Sequence, residues 1–430
     1  MTALSTNNAR AERSNKERIP VFDGIRGLSA SLVIVAHVAF ATIVLSSAAG
    51  PPREGFWSII AAGNDLAIGP FFVMSGLFLY RPFVRYTMAG DKYPHLGKFF
   101  ARRAARLLPA VWLLAAVSLV ALNWSSIQGF WYVVRPFLLM QVYDYTYYAG
   151  MDVAWTVPTE AQFYLALPLL AWIGHLFAKG ADTPRKKARR MIAPLLALIP
   201  IQLAWVAYVH IAFDPWPPQY FYPLGMTGVL TIGMAFAVWN VLAELSPQDT
   251  PRSFGFARRH PNLLWAGLLV VFAINCLKPF ATPGTADWVS AEAAVTHSIL
   301  FLLFSYLVML PLVVPGAASK LMKVVLANPV SRYLGRISYG LYLWHFPVMY
   351  VVFGSGSLFE ETYLPVQTLL GKFGFWELFV LTFLGTLAVA SVSYWLVERP
   401  IVNWVQRKTA TRKRVDDNFI PPSQPALTSV

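Results

Sequence analysis

Six of the 430 residues combine a reactive side chain with a suggestive position: Arg26, His37, Arg103, Arg106, Glu160 and His345. His37 follows Arg26 by eleven positions, which is three helical turns to within about 20°, so both fall on one helix face about 16 Å apart along the axis. His345, in ISYGLYLWHFPV, lies nine residues beyond Arg336, about 13 Å at the helical rise. The two rings are expected at similar depth. Imidazole titrates near neutrality, so it can take a hydroxyl proton as the oxygen attacks an acyl carbonyl and return it to a leaving thiol. An interhelical hydrogen bond is the structural alternative for either ring. Arg102, Arg103 and Arg106, with Arg81 and Arg85 before them, present guanidinium forks suited to the phosphates of a donor such as acyl-CoA, although topology alone also places arginines there. No phosphate-binding glycine loop points to another nucleotide. Glu160, two residues after Pro158 at a helix start, is read as an outward-facing acid for acceptor binding or proton removal, or as a cap on the helix dipole. Ser75 could carry an acyl group transiently if a histidine activates it, or could simply pack a helix through Ser75-Gly76. Asp23 is expected to pair with Arg26.

These residues matter because of where they sit. With 57% hydrophobic and 13% charged residues, the chain cannot cover itself with a water-facing surface, and apolar stretches of about 20 residues recur too often for a single anchor. An all-α polytopic membrane protein is the fold expected. Ten stretches lie near residues 28–48, 57–80, 107–123, 160–178, 191–213, 221–243, 262–280, 296–316, 337–353 and 376–397. Assigning the intervening Lys and Arg to alternate sides puts 31 of 35 on one side, leaving Arg53, Arg135, Lys278 and Lys372 on the other. By the positive-inside rule both termini are then cytoplasmic. A charged group at mid-bilayer costs about 2.5 to 3.5 kcal/mol on insertion scales, so ionisable residues inside such stretches are functional candidates.

The division expected is a cytoplasmic segment over 1–18, a membrane domain over 19–405 and a loose cytoplasmic tail over 406–430, with no cleaved signal peptide and no fused soluble domain. The net charge of +14 follows the connections between apolar segments, so it speaks for topology and not for nucleic acid. The basic run from Arg185 to Arg190 suits anionic lipid. Cys276, the single cysteine, excludes an internal disulfide, and no metal or permanent cofactor is expected. The connection from Trp124 to Trp155 contains a short apolar stretch, read as a re-entrant or surface-lying helix. Its Trp131, Tyr132, Tyr143, Tyr145, Tyr147 and Tyr148 read as an interfacial belt or a sugar-stacking platform. Glu398-Arg399-Pro400 is expected to close the tenth helix through an ion pair or a helix stop. An ion-coupled transporter is the rival class, but no internal repeat accompanies the midplane charges.

FDGIRGLSASLVIVAH, FFVMSGLFLYRP, FFARRAARLLPAVW, WTVPTEAQFYLALPLL, ISYGLYLWHFPV and SYWLVERP, in that order, resemble the motifs of acyltransferase family 3 over roughly residues 19–405. The resemblance implies an integral membrane O-acyltransferase that moves an acyl group, often acetyl, from cytoplasmic acyl-CoA to a hydroxyl of a cell-surface carbohydrate, glycolipid such as lipopolysaccharide, or secondary metabolite. It also implies Arg26 and His37 as the acyl-CoA-side pair, Glu160 as the acidic residue of the fourth-helix motif, His345 as the ninth-helix histidine, and Arg103 and Arg106 as the family's arginines before the third helix. The chain departs from the family in having Val153 and Ala154 where many members carry a histidine, and in Pro158 within the Glu160 motif.

Overall fold

The computed structural model describes residues 2–42, 60–61, 63–144, 146, 148–213, 218–280, 290–353 and 374–409, with side chains from residue 20 onward. Among these every long element is a helix. In chain order they are α1 (Thr2–Ala41), α2 (Gly69–Ala89, led by a 3-10 turn over Gly63–Ile68), α3 (Leu96–Ala121), α4 (Gly129–Phe137), α5 (Thr156–Ala178), α6 (Pro184–Leu196), α7 (Leu198–Ala212) and α8 (Thr227–Leu245). They continue with α9 (Arg252–Arg259), α10 (Pro261–Cys276), α11 (Ala291–Val313), α12 (Lys320–Leu326), α13 (Pro329–Arg336), α14 (Ser338–Phe353), α15 (Phe375–Ser393) and α16 (Arg399–Thr409). Among the described residues, eight helical runs are long and apolar enough to cross a membrane. The chain is a multi-pass membrane protein.

Local sequence sets many of the helix ends. Gly90 adopts φ 76° and closes α2, its N–H donating to the Arg85 carbonyl. Thr183 and Asn328 each cap a helix whose first residue is proline, accepting from the N–H of Lys186 and Ser331 respectively. The expected tenth stretch does not stop at Glu398-Arg399-Pro400. A π-helical turn over Tyr394–Glu398 carries the chain from α15 into α16, which runs to Thr409. Proline removes one backbone donor and crowds the preceding turn, and a local widening accommodates that without ending the helix. Arg399 lies over the Trp395 ring, 4.4 Å from its centroid, while Glu398 is buried and accepts from Ser393 Oγ at 3.2 Å, so the two do not pair with each other.

Glycine governs the closest helix crossings. A Cβ on Gly76 of α2 would collide with the Leu230 carbonyl of α8, and one on Gly233 with the Val73 carbonyl, so the two backbones touch through a pair of glycines. Gly24 and Gly27 of α1 meet α12 and α13 in the same way, at the Leu326 carbonyl and at Gly335. The IRG segment around Arg26 is therefore held against a fixed backbone surface.

The connection after α3 carries α4 as a short helix whose Phe130 and Trp131 are exposed. Beyond it the chain turns inward. Ala149, Met151, Val153 and Ala154 are all buried, and Gly150 packs against Leu122, Ser118 and Pro347. Irregular backbone is tolerated at membrane depth only where protein covers it. Here Asn123 accepts the Ala149 N–H at 2.9 Å and Tyr342 donates to the Val153 carbonyl at 2.9 Å. Of the expected aromatic platform, Tyr132 and Tyr148 are buried against each other, Tyr143 packs on Tyr222, Trp131 faces outward, and Tyr145 and Tyr147 lie outside the described residues. Part of the first two expected spans and the expected tail beyond 409 also lie outside them.

Candidate active site

A cavity opens between α1, α2, α3, α5 and α14. Arg26, Arg103, Arg106, Glu160, Ser75, Tyr164, Tyr339 and Tyr342 line it, with Phe71, Phe72, Phe78 and Leu79 supplying apolar wall. Three guanidinium groups thus surround one carboxylate, an excess of positive charge suited to a polyanionic ligand. The Nε atoms of Arg26 and Arg103 are buried without an acceptor among the described residues, leaving two donors for an incoming anion.

The placement of Glu160 differs from the expectation. Read as an outward residue, it shares a cavity with the arginines read as cytoplasmic. Two features bring them together. α3 begins at Leu96, not near residue 107, so Arg103 and Arg106 lie seven and ten residues inside a helix, about 10 and 15 Å from its start. At the same time the inward-turning segment before Thr156 starts α5 deep in the bundle. Ser75 Oγ donates to one Glu160 oxygen at 3.1 Å and Tyr164 donates to the other at 3.0 Å. Ser75 therefore faces Glu160, not a histidine, while its neighbour Gly76 serves the packing role that was the alternative reading.

The other arginines of the expected cluster are engaged elsewhere. Arg102 donates to Thr409 Oγ1 and its carbonyl at 2.9 and 3.1 Å. Arg81 and Arg85 both bind Glu244, and Arg85 also binds Asp91. Asp23 is buried with its backbone against Gly335, and no ion pair links it to Arg26 among the described residues. Cys276 is buried near Gly63, as expected of a packing residue.

His37 and His345 meet across α1 and α14. Their rings stack with centroids 5.0 Å apart, and His37 Nδ1 lies 3.0 Å from His345 Nε2. His345 Nδ1 is 2.7 Å from the Tyr342 carbonyl, which can only accept, so this nitrogen carries a proton. With both rings neutral, His345 Nε2 is then a bare acceptor and His37 Nδ1 donates to it, leaving the lone pair of His37 on Nε2. His345 is fully buried and His37 is partly exposed, so His37 is the ring that a substrate can reach. Tyr342 separates the pair from the arginine cavity: its ring lines the cavity and its carbonyl holds His345.

Sequence reasoning alone missed Tyr164, Tyr339 and Tyr342. Tyr164 stands four residues after Glu160 and Tyr342 three before His345, spacings at which helix neighbours touch, and that was the available signal. Tyr339 donates to the Leu107 carbonyl at 2.8 Å and ties α14 to α3. At the connection after α2, outside the spans, burial and the neighbouring Tyr86 hydroxyl push the Tyr93 phenol up, so it stays neutral near pH 7.

A bundle of membrane helices with an arginine-lined cavity beside a paired-histidine centre defines an integral membrane protein with a buried, positively charged pocket. A family model described as an acyltransferase domain matches residues 19–395, and the chain belongs to that family, acyltransferase family 3. It is similar to the peptidoglycan O-acetyltransferase OatA of Listeria monocytogenes, with 23% identity over 411 residues covering 91% of this chain and 57% of the relative. It is also similar to the O-acetyltransferase OatA of Staphylococcus aureus, with 22% identity over 402 residues covering 89% and 57%. The chain thus spans little more than half the length of these curated relatives. No solved structure matches it.

Proposed function

We propose that the protein is a membrane O-acyltransferase that takes an acyl group, acetyl in the first instance, from cytoplasmic acyl-CoA and passes it to an extracytoplasmic hydroxyl. The observation that carries this reading is the cavity with three arginines and one hydrogen-bonded carboxylate lying beside the His37–His345 pair. Arg26, Arg103 and Arg106 would hold the donor's pyrophosphate, with the pantetheine arm rising along α1 towards His37. His37 Nε2 would remove the acceptor proton as the hydroxyl oxygen attacks the thioester carbonyl. The carbon–sulfur bond breaks, the departing thiolate takes that proton, and ester and free CoA result. Glu160, fixed by Ser75 and Tyr164, would orient the arginines and the bound donor.

The names of the relatives point to peptidoglycan, so a wall glycan leads the acceptor classes, ahead of glycolipids and secondary metabolites. The topology we propose has ten spans with both termini cytoplasmic, the 16-residue helices α10 and α14 joining the eight longer runs. The catalytic unit is residues 19–405, preceded by a short cytoplasmic segment and followed by a cytoplasmic tail.

The test is transfer of radiolabelled acetyl from acetyl-CoA to wall-glycan fragments by protein in lipid nanodiscs. Label should reach the glycan in the native protein and not in His37→Ala. If acetyl-CoA neither binds nor donates to a pool of membrane-extract hydroxyls, the acyltransferase reading fails.

A further inference from the structure

The helix faces that line the cavity continue beyond its arginines. On α2, Ser75 lines it, and Tyr86, eleven residues on, returns to within about 20° of the same face. On α3, Arg106 lines it, and Phe99, seven residues earlier, is again within about 20°. Both stripes lead to the connection between α2 and α3, where rings gather. Tyr86 and Tyr93 meet edge to face at 5.1 Å, Tyr93 and Phe83 at 5.6 Å, and Phe83 and Phe99 at 5.8 Å. His175, from the far end of α5, lies 5.3 Å from Tyr86, with its Nδ1 3.2 Å from Thr87 Oγ1. Tyr93 is 44% exposed and Tyr86, Phe99 and His175 are only partly covered, so ring faces of the cluster are open to a ligand. The short loop opened by Gly90 at φ 76° holds Tyr93 over the end of the bundle.

We propose that this ring cluster is the adenine subsite of the acyl-CoA donor, an inference that rests on the donor reading above. The spacing suits it. Phe99 precedes Arg103 by one helical turn, about 6 Å, which leaves room for the ribose between a stacked base and a pyrophosphate on the guanidinium groups. Offset and edge-to-face ring geometries at 4.5–7 Å are those in which a flat heterocycle joins an aromatic group. The tyrosine hydroxyls, Thr87 and His175 supply polar atoms for the base edge. Arg81 and Arg85, neutralised by Glu244 and Asp91, border the cluster without competing for the pyrophosphate.

Acetyl-CoA and acetyl-pantetheine carry the same thioester, and only the first carries a nucleotide. Removing one stacking ring should raise the KM for acetyl-CoA by about 5- to 150-fold, the range for loss of an aromatic–base stack. Tyr86→Ala and Tyr93→Ala should both show this, with kcat at saturation and the KM for acetyl-pantetheine within about twofold of native. Tyr93→Phe, which keeps the ring, should restore acetyl-CoA use. Tyr93 is exposed, so its variants stay informative if Tyr86→Ala fails to fold. An unchanged acetyl-CoA KM in Tyr93→Ala, or an equal rise for both donors, overturns the subsite while leaving the acyltransferase intact. A native protein that uses neither donor overturns the donor reading and the subsite with it.

Discussion

Replacing His345 by alanine tests whether the two histidines act as one unit. In the native arrangement the Tyr342 carbonyl fixes the proton on His345 Nδ1, His345 Nε2 accepts from His37 Nδ1, and the reactive lone pair stays on His37 Nε2. A positioned general base contributes typically 10² to 10⁴ in rate, about 2.7 to 5.4 kcal/mol at 1.36 kcal/mol per decade. His37→Ala should lose this amount. His345→Ala leaves the base in place but removes the acceptor that sets its tautomer and ring orientation, so the loss should be of the same order. Groups that act through one another are non-additive, and the double variant should lie within about threefold of the worse single one. The measurement is single-turnover acetyl transfer in nanodiscs with the donor saturating, so that binding does not enter. Losses that multiply, giving a double variant at 10⁴ to 10⁸ below native, would mean two independent roles and would refute the relay. A His37→Ala protein within threefold of native would remove the base altogether.

Ser75→Ala and Tyr164→Phe each delete one hydrogen bond to the Glu160 carboxylate, about 1.5 to 3 kcal/mol for a bond to a charged group. Each should weaken acyl-CoA binding or turnover by roughly 10-fold or more, whereas Ser75 as an essential acyl carrier would instead abolish transfer and trap no labelled protein. Gly76→Ala should lower the thermal midpoint in detergent sharply, because its Cβ meets the Leu230 backbone. Gly267→Ala, with its nearest neighbour at 3.9 Å, should be neutral or stabilising by up to about 1 kcal/mol. Equal midpoints for the two glycine variants would contradict the α2 to α8 crossing. Asp65 binds Lys278 at 2.5 Å, Asn275 at 2.7 Å and His297 at 3.2 Å. Asp65→Asn should therefore cost about 3 to 5 kcal/mol as a broken, largely buried ion pair, and Lys278→Met added to it should recover part of the lost midpoint.

The class of fold was legible because lipid demands long apolar helices, and the pairing of His37 with His345 was foreshadowed by two rings at matched depth behind arginines. What could not be read was the level of one helix against another. Periodicity places Glu160 on a face but says nothing of how far α5 is sunk, and the apolar count that set α3 at residue 107 passed over the turns on which Arg103 and Arg106 ride. The π-helical turn before Pro400 was hidden for a related reason, since a proline in sequence looks the same whether a helix ends at it or widens around it. The glycines at 24, 27 and 335 were visible as residues, but their purpose depends on a crossing between segments some 300 residues apart.

The inward fold of residues 148–155 has a consequence for how the arginine cavity communicates with the histidine pair. Because Val153 reaches Tyr342, the arginine cavity and the buried histidine pair are separated by one tyrosine, however wide the surrounding bilayer. Rotation of the Tyr342 side chain, at the cost of its hydrogen bond to Val153, would join the cavity to the histidine pair. Such a rotation needs no rocking of one half of the bundle against the other, which the glycine-locked crossings make difficult.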